Sequence, residues 1–379
     1  MIPVNEPLLN GREKELLIEC IDTGWVSSDG PFVNMFERRF ADYIGTTHGI
    51  AVCNGTAAIE TALFAAGITK GDEVIMPAFT IVSCLVAVIR LGAAPVLVDV
   101  EPDTWGMDVG QIESRLTPRT RAIMVVHMYG HPVDMDPVLA IARTHGLVVV
   151  EDAAEVHGAE YRGRKCGSLG HVSAWSFYAN KIINTGEGGM VLTSDDRIAE
   201  RAASYRNLCF RPEKRFYHTE FGYNFRMTNL QAALGVAQME RVEEFVGIKR
   251  RLGEYYRQKL SGIPGIRFQI EKPWAKSVYW MYCIEIDETL GFTADETRTA
   301  LAEKGIGTRP FFLGLHEQPA AHEIGLFRGE RYPVTERIAR QGLYLPSGLA
   351  LTESQVEEVA EAVRQVVADL SKTRGISRH

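Results

Sequence analysis

The sequence predicts an α/β protein, with a large domain built on a mainly parallel sheet between helices and a smaller C-terminal α/β domain. Three observations predict it. Four strand-length runs between residues 73 and 154 are almost wholly apolar, helix-like segments alternate with them, and the texture changes near residue 245. Strands that are apolar on both faces belong to a sheet covered on both sides, which is the habit of parallel sheets. Alternation of strand with helix is the pattern of a doubly wound sheet, which binds ligands beyond the carboxyl ends of its strands.

The four runs are "EVIMPA" (73–78), "APVLVDV" (94–100), "RAIMVVHMYG" (121–130) and "GLVVVEDAA" (146–154). "VSAWSFYA" (172–179) and "GGMVLTSD" (188–195) add two weaker strands. "TAAIETALFAAG" and "PVDMDPVLAIARTHG" have helical character and end in glycines suited to a C-cap. The expected division is 1–244 for the large domain and 245–379 for the small one. The small domain opens with the helix "FVGIKRRLGEYYRQKL", continues with a strand "VYWMYCIEID" (278–287) and a helix around "TADETRTALAEKG", and closes with "TESQVEEVAEAVRQVVADL". There Thr352 and Gln355 form a capping-box pattern, and Val356, Val359, Val363, Val366 and Leu370 recur at helical spacing.

A chain of 379 residues with 46% hydrophobic and 23% charged residues can bury the core of two domains. The formal net charge of −7 leaves no basic stripe to neutralise phosphates, so a nucleic-acid partner is not expected. The basic end "SKTRGISRH" reads as a frayed terminus. The first residues lack the basic and apolar regions of a signal peptide, and no stretch reaches the roughly 18 uncharged apolar residues of a membrane span. Six scattered cysteines without a C-x-x-C pair suit reduced thiols in a cytoplasmic enzyme, with neither a disulfide framework nor a metal site.

Lys181 stands in "WSFYANKIINTGEGGM", where its immediate neighbours offer no carboxylate. It is either a lysine snorkelling from the end of a buried strand or an amine desolvated for chemistry. In "CNGTAAIE", Gly55 and Thr56 open a helix whose free amides form an anion site; the same residues also suit a turn with Thr56 as N-cap. Asp152 follows an apolar run at the carboxyl end of a central strand. Its desolvation is offset either by a cation, such as a protonated pyridine nitrogen, or by capping of the next segment. Asp152 lies 29 residues before Lys181 and Ser176 lies five before it. An anion cradle, a buried carboxylate and an isolated lysine are the three anchors of pyridoxal 5′-phosphate, for its phosphate, ring nitrogen and aldehyde, and their joint presence favours the chemical reading of Lys181.

These residues carry a family likeness over nearly the whole chain. "CIDTGWVSSDGPFVNMFE", "CNGTAAI", "GDEVIMPAFT", "GAAPVLVDVEPDT", "EDAAEVHG", "SFYANKIINTGEGGM" and "GYNFRMTNLQAALGVAQMER" resemble the sugar aminotransferases of the DegT/DnrJ/StrS family, built on the aspartate-aminotransferase-type fold. The resemblance implies pyridoxal 5′-phosphate bound covalently through Lys181, with Asp152 on the pyridinium N–H. It implies Gly55, Thr56 and Ser176 on the phosphate, and Glu155 near the ring where relatives often have His or Gln. Asn224 would reach the cofactor phosphate of a neighbouring subunit, which implies a homodimer with shared sites. Where many relatives stack an aromatic residue on the pyridine, this chain has Ile81, so packing from that side is expected to be aliphatic.

Some relatives carry histidine in place of the lysine and dehydrate a sugar; Lys181 favours transamination. "GWVSSDGPFV" and "GTRPFFLGLHEQP" are most similar to the GDP-perosamine synthase branch of the family. That similarity implies a nucleotide-linked 4-keto-6-deoxyhexose as acceptor, L-glutamate as donor, and an amino sugar destined for a surface polysaccharide such as a lipopolysaccharide O-antigen. Trp25, Ser27, Phe311 and His316 are candidate substrate contacts, with ordinary loop packing as the other reading. Arg226 and Arg309 could pair with a carboxylate or phosphate, or serve as structural ion pairs. Another keto sugar, a 3-keto hexose or an eight-carbon keto-octulosonate, is the alternative acceptor. A regulator on this fold would carry a fused DNA-binding helix-turn-helix, and the chain begins almost at once with the family's N-terminal segment.

Overall fold

The computed structural model describes residues 1–211, 214 and 216–374. Seven strands form the main sheet: β1 (His48–Val52), β2 (Glu73–Pro77), β3 (Ala94–Val98), β4 (Thr120–Val126), β5 (Val148–Asp152), β8 (Val172–Ser176) and β9 (Gly189–Thr193). Their order is β1-β9-β8-β5-β4-β2-β3. β9 runs antiparallel to both of its neighbours, and every other pairing is parallel. β5 is therefore the central strand, and its carboxyl end is Asp152. β6 (Glu160–Tyr161) and β7 (Arg164–Lys165) follow β5 in sequence and form a small ribbon with β11 (Ala275–Lys276), and a four-stranded sheet joins β10 (Ile266–Phe268), β12 (Cys283–Ile286), β14 (Gly342–Tyr344) and β13 (Arg309–Pro310).

The helices α1 (Glu13–Thr23), α2 (Pro31–Ile44), α3 (Gly55–Ala65), α4 (Val82–Arg90), α5 (Met135–His145), α6 (Asp196–Tyr205) and α7 (Asn229–Met239) belong to the first sheet. They are followed by α8 (Val242–Leu260), α9 (Ala294–Glu303), α10 (Pro319–Glu323), α11 (Pro333–Gln341) and α12 (Glu353–Thr373). The Thr352/Gln355 capping box is present at the start of α12, and Val356, Val359, Val363 and Val366 are buried along it. The basic tail completes α12 and its cap at Arg374; residues 375–379 lie outside the described residues.

Three expectations change on contact with the structure. The expected boundary at 244/245 falls inside α8, whose Phe245 and Val246 join the core of the main sheet while Leu252, Tyr256 and Leu260 join the second core. Ile2, at the start of the segment read as part of the large domain, packs in the second core and bridges to Ile306. The strand expected over 278–287 pairs only from Cys283. Before it, Val278 donates to the Gly130 carbonyl at 3.0 Å and Tyr279 adopts a left-handed φ of 45°, which turns the segment out of the sheet and toward the main core.

Helix α7 packs on α2 through Gly235, where an added Cβ would sit 2.6 Å from the Phe36 ring. Phe36 is fully buried against Phe40 and Phe177 and has nowhere to retreat. Alanine would gain about 1 kcal/mol in helix propensity, but the overpacking penalty of about 1–3 kcal/mol is larger. Gly235→Ala is therefore expected to lower the denaturation midpoint in urea; an unchanged or raised midpoint would show that α2 can shift to admit the methyl group.

Candidate active site

The cavity at the carboxyl end of β5 measures about 630 Å³. On one wall, β1 runs into α3 through Asn54, whose side chain accepts from the Ala57 amide at 2.8 Å. Asn54, not Thr56, is the N-cap. This capping satisfies the third helical amide and leaves those of Gly55 and Thr56 free at a helix N-terminus, where the dipole favours an anion. Gly55 sits against Ser176 so closely that a Cβ would lie 2.7 Å from the Ser176 Cβ. The Thr56 hydroxyl, released from capping, donates to the Ser83 hydroxyl at 2.9 Å.

Asp152, almost wholly buried, ends the central strand. One carboxylate oxygen accepts from the Ala154 amide at 3.1 Å and the other from the Cys84 thiol at 3.0 Å. The capping of Ala154 therefore accompanies a carboxylate that also faces the cavity. Lys181 is not at a strand end. It stands in the loop between β8 and β9, five residues beyond Ser176, with its amide bonded to the Tyr178 carbonyl. Its Nζ lies 3.8 Å from Glu155 Oε1 and 3.7 Å from the centroid of the Trp280 ring. The indole N–H donates to the Asn180 carbonyl at 2.8 Å, which fixes the ring on the residue before the lysine.

Burial lowers the Lys181 amine below the usual lysine range, against the opposing pull of Glu155 and Asp152. Burial likewise pushes Glu155 up to about 7; the Lys181 charge and the Tyr129 amide, which donates to it at 2.7 Å, counteract only part of the rise. Amine and carboxyl thus approach one another in proton affinity.

Gly55, Thr56, Ile81, Asp152, Glu155, Ser176 and Lys181 all wall the cavity. Ile81 is 42% exposed at its rim, while aromatic surface comes from Trp280, Phe312, Tyr344, Tyr178 and Phe225. Trp25, Ser27, Asn224 and Arg226 do not wall it. Asn229 holds their two segments together: its amide donates to the Ser27 carbonyl and its side chain to the Trp25 carbonyl. Trp25, Ser27 and Asn224 are exposed on that surface, and Arg226 donates to Asn207 Oδ1 at 2.7 Å. Arg309 is exposed at the end of the second sheet.

Phe311 and His316 do not wall the cavity. Phe311 is buried between Trp105 and Tyr129, with centroids at 5.0 and 4.8 Å; His316 is buried on Tyr332, its Nε2 3.2 Å from Glu336. Trp280, Phe312, Tyr344 and Cys84 went unrecognised in the sequence. The first three arrive from the second half of the chain, and Cys84, four residues after Thr80 on α4, carries no local mark of its contact with Asp152.

The cavity fits a phosphate-bearing pyridine aldehyde. It has an anion cradle shaped by a glycine that admits no side chain, a carboxylate 3.0 Å from a neutral thiol donor, and a desolvated amine, and the buried Asn180 Oδ1 in its wall lacks a hydrogen-bond partner among the described residues.

Known proteins resemble the chain over most of its length. The chain is 43% identical over 370 residues to the GDP-perosamine synthase of Caulobacter vibrioides, covering 97% of this chain and 98% of the relative. It is 37% identical over 338 residues to the dTDP-3-amino-3,4,6-trideoxy-alpha-D-glucose transaminase of Streptomyces venezuelae, covering 89% and 87% of the two chains. Among solved structures, S. venezuelae DesV in complex with a ketimine intermediate superposes with a TM-score of 0.88 at 36% identity over 94% of each chain. DesI in the presence of its TDP-sugar product superposes with a TM-score of 0.89 at 32% identity over 99% of this chain and 94% of that one. Residues 7–364 match the DegT/DnrJ/EryC1/StrS aminotransferase family, and the chain belongs to it.

Proposed function

We propose that this sugar aminotransferase uses pyridoxal 5′-phosphate in the Lys181 cavity, takes its amino group from L-glutamate, and aminates C4 of a nucleotide-linked 4-keto-6-deoxyhexose. The convergence of Lys181, Asp152 and the Gly55–Thr56–Ser176 cradle on one cavity carries the reading of the cofactor. The likeness to GDP-perosamine synthases supports the acceptor. The relative that makes a 3-amino sugar favours a second reading, in which the carbonyl stands at C3.

The cofactor, when bound, supplies a carbonyl carbon for the donor amine and a protonated ring that withdraws electrons. The residues of this chain do the rest. The amides of Gly55 and Thr56 and the Ser176 hydroxyl bind the phosphate end and fix its orientation. Asp152 holds the proton on the ring nitrogen. Lys181 would hold the aldehyde end of the cofactor, and its free amine would take the proton from the donor Cα and deliver it to the former aldehyde carbon. Glu155 faces the released amine and stabilises it while it carries that proton. Trp280 excludes water from one side.

The active form we propose is a cytoplasmic homodimer in which Asn224 reaches the phosphate site of the partner subunit. The exposure of Asn224 next to the exposed Tyr223, with exposed Phe221 three residues before it, supports this. Trp25, Ser27 and Arg226 would meet substrate through the same contact, and Arg309 from the second sheet.

An absorption spectrum of the protein loaded with pyridoxal 5′-phosphate is expected to show a visible band that L-glutamate bleaches; Lys181→Ala is expected to lack the band and to turn over at least about 10³-fold more slowly. A loaded wild-type chain with no band removes the cofactor assignment, and a panel of 4-keto and 3-keto nucleotide sugars tests the acceptor. Mixing Asn224→Ala chains with Lys181→Ala chains is expected to restore part of the activity, because one site in the mixed dimer keeps both residues. No recovery at any ratio would mean that the sites are not shared.

Glu155 also sets a pH dependence of stability. With its pKa raised from 4.5 to about 7, the folded chain holds a proton that the unfolded chain has lost, so stability falls as pH rises across that window. Glu155→Gln lacks this loss. Its stability relative to wild type is expected to improve by up to about 3 kcal/mol between pH 4.5 and 7. Parallel urea midpoints at the two pH values would show that folding does not raise the Glu155 pKa.

A further inference from the structure

Lys249 lies on the buried stripe of α8 with Phe245, Leu252 and Tyr256, and is 2% exposed. No ion pair forms with it among the described residues; its amine donates to two main-chain carbonyls, those of Trp280 at 2.5 Å and of Ser347. Two carbonyls match the two N–H bonds of a neutral amine, and burial pushes Lys249 down to about 7, where that form is well populated. A methionine or leucine would fill the stripe at a smaller desolvation cost, so packing does not account for an amine at this position.

The carbonyl it holds belongs to the residue whose indole covers Lys181. The same segment is gripped from the other side by Gly130, where a Cβ would lie 2.7 Å from the amides of both Tyr279 and Trp280. Between the two grips Tyr279 is kept in the left-handed region, a conformation that persists only where its surroundings enforce it. Ser347, the second acceptor, also receives the Tyr282 amide on its hydroxyl at 2.8 Å and donates its own amide to the Val4 carbonyl, so the grip is anchored in the second core.

We propose that Lys249 is a positioning residue for transamination: by holding the Trp280 carbonyl it keeps the indole over the Lys181 amine and limits the water that amine meets. The proposal rests on Lys181 being the reacting amine. Without the grip, Tyr279 relaxes, the indole withdraws, water solvates the Lys181 ammonium, and less of the amine is neutral.

The test uses full-length Lys249→Met, Lys249→Gln and Trp280→Ala. Reductive methylation of Lys181 in the cofactor-free chain, read by peptide mass spectrometry at pH 8, reports its neutral fraction without any turnover. We expect labelling to fall about threefold or more in Lys249→Met and Trp280→Ala, and to recover at least in part in Lys249→Gln, which keeps an N–H donor. In the loaded enzyme the glutamate half-reaction should lose rate about tenfold with KM changed less than twofold. Wild-type labelling and rate in a folded Lys249→Met, even one with a lower melting temperature, overturn the proposal and make Lys249 a structural residue. If Lys249→Met does not fold, Lys249→Leu takes its place in the same comparison, and unchanged labelling of Lys181 in Trp280→Ala overturns the proposal by itself, since it leaves nothing for Lys249 to position. A wild-type chain without the visible band overturns the cofactor reading itself, whereas a normal band with unaltered variants overturns only the role of Lys249.

Discussion

The site is built around one unfavourable act, the removal of an amine and two carboxyl groups from water within a single cavity. Charged groups tolerate such burial only when partnered. Here each is partnered differently. Asp152 receives an amide and a thiol, Glu155 receives the Tyr129 amide and faces Lys181, and Lys181 lies between Glu155 and the face of Trp280. The groups left least satisfied are the ones to which the proposed function assigns the moving proton. Asp152 is the better bonded of the two carboxyl groups, with a donor on each of its oxygens.

That arrangement requires the two cores to be locked together. The main sheet provides Asp152, Glu155 and the cradle, but the cover over Lys181 comes from the segment preceding β12 in the second sheet. α8 passes from one core into the other, and the 277–282 segment is clamped between Gly130 and Lys249. The register of the second sheet therefore governs the environment of an amine that belongs to the first.

Much of this was legible in the sequence where the physics is local. Runs such as "VVVED" betray a doubly covered strand because neither face needs polar residues, and the capping box before α12 is a contact between residues three apart. α7 was harder to read as a helix on its own, because it is buried nearly all round and shows no polar face. The expected strand over 278–287 had the right composition, but the close approach of Gly130 pulls its first half away. Phe311 and His316 look like site residues beside "GTRPFF", yet residue type alone does not tell whether an aromatic faces a cavity or a core. The contacts of Lys181 were illegible because Glu155 lies 26 residues before it and Trp280 lies 99 after it.

The unequal distances along the chain have a consequence in chain entropy. β8 and β9 are adjacent and antiparallel, so the loop bearing Lys181 is a hairpin of 12 residues, closed by Phe177 and Gly188 at its base. Laying Trp280 over the lysine closes a segment of about 100 residues, which by length alone costs about 2 kcal/mol more. Holding the amine in place is thus the inexpensive part of the design, and keeping it dry is the expensive part. Any loosening of the second core is felt first at the indole, as a lysine still in position but once more in water.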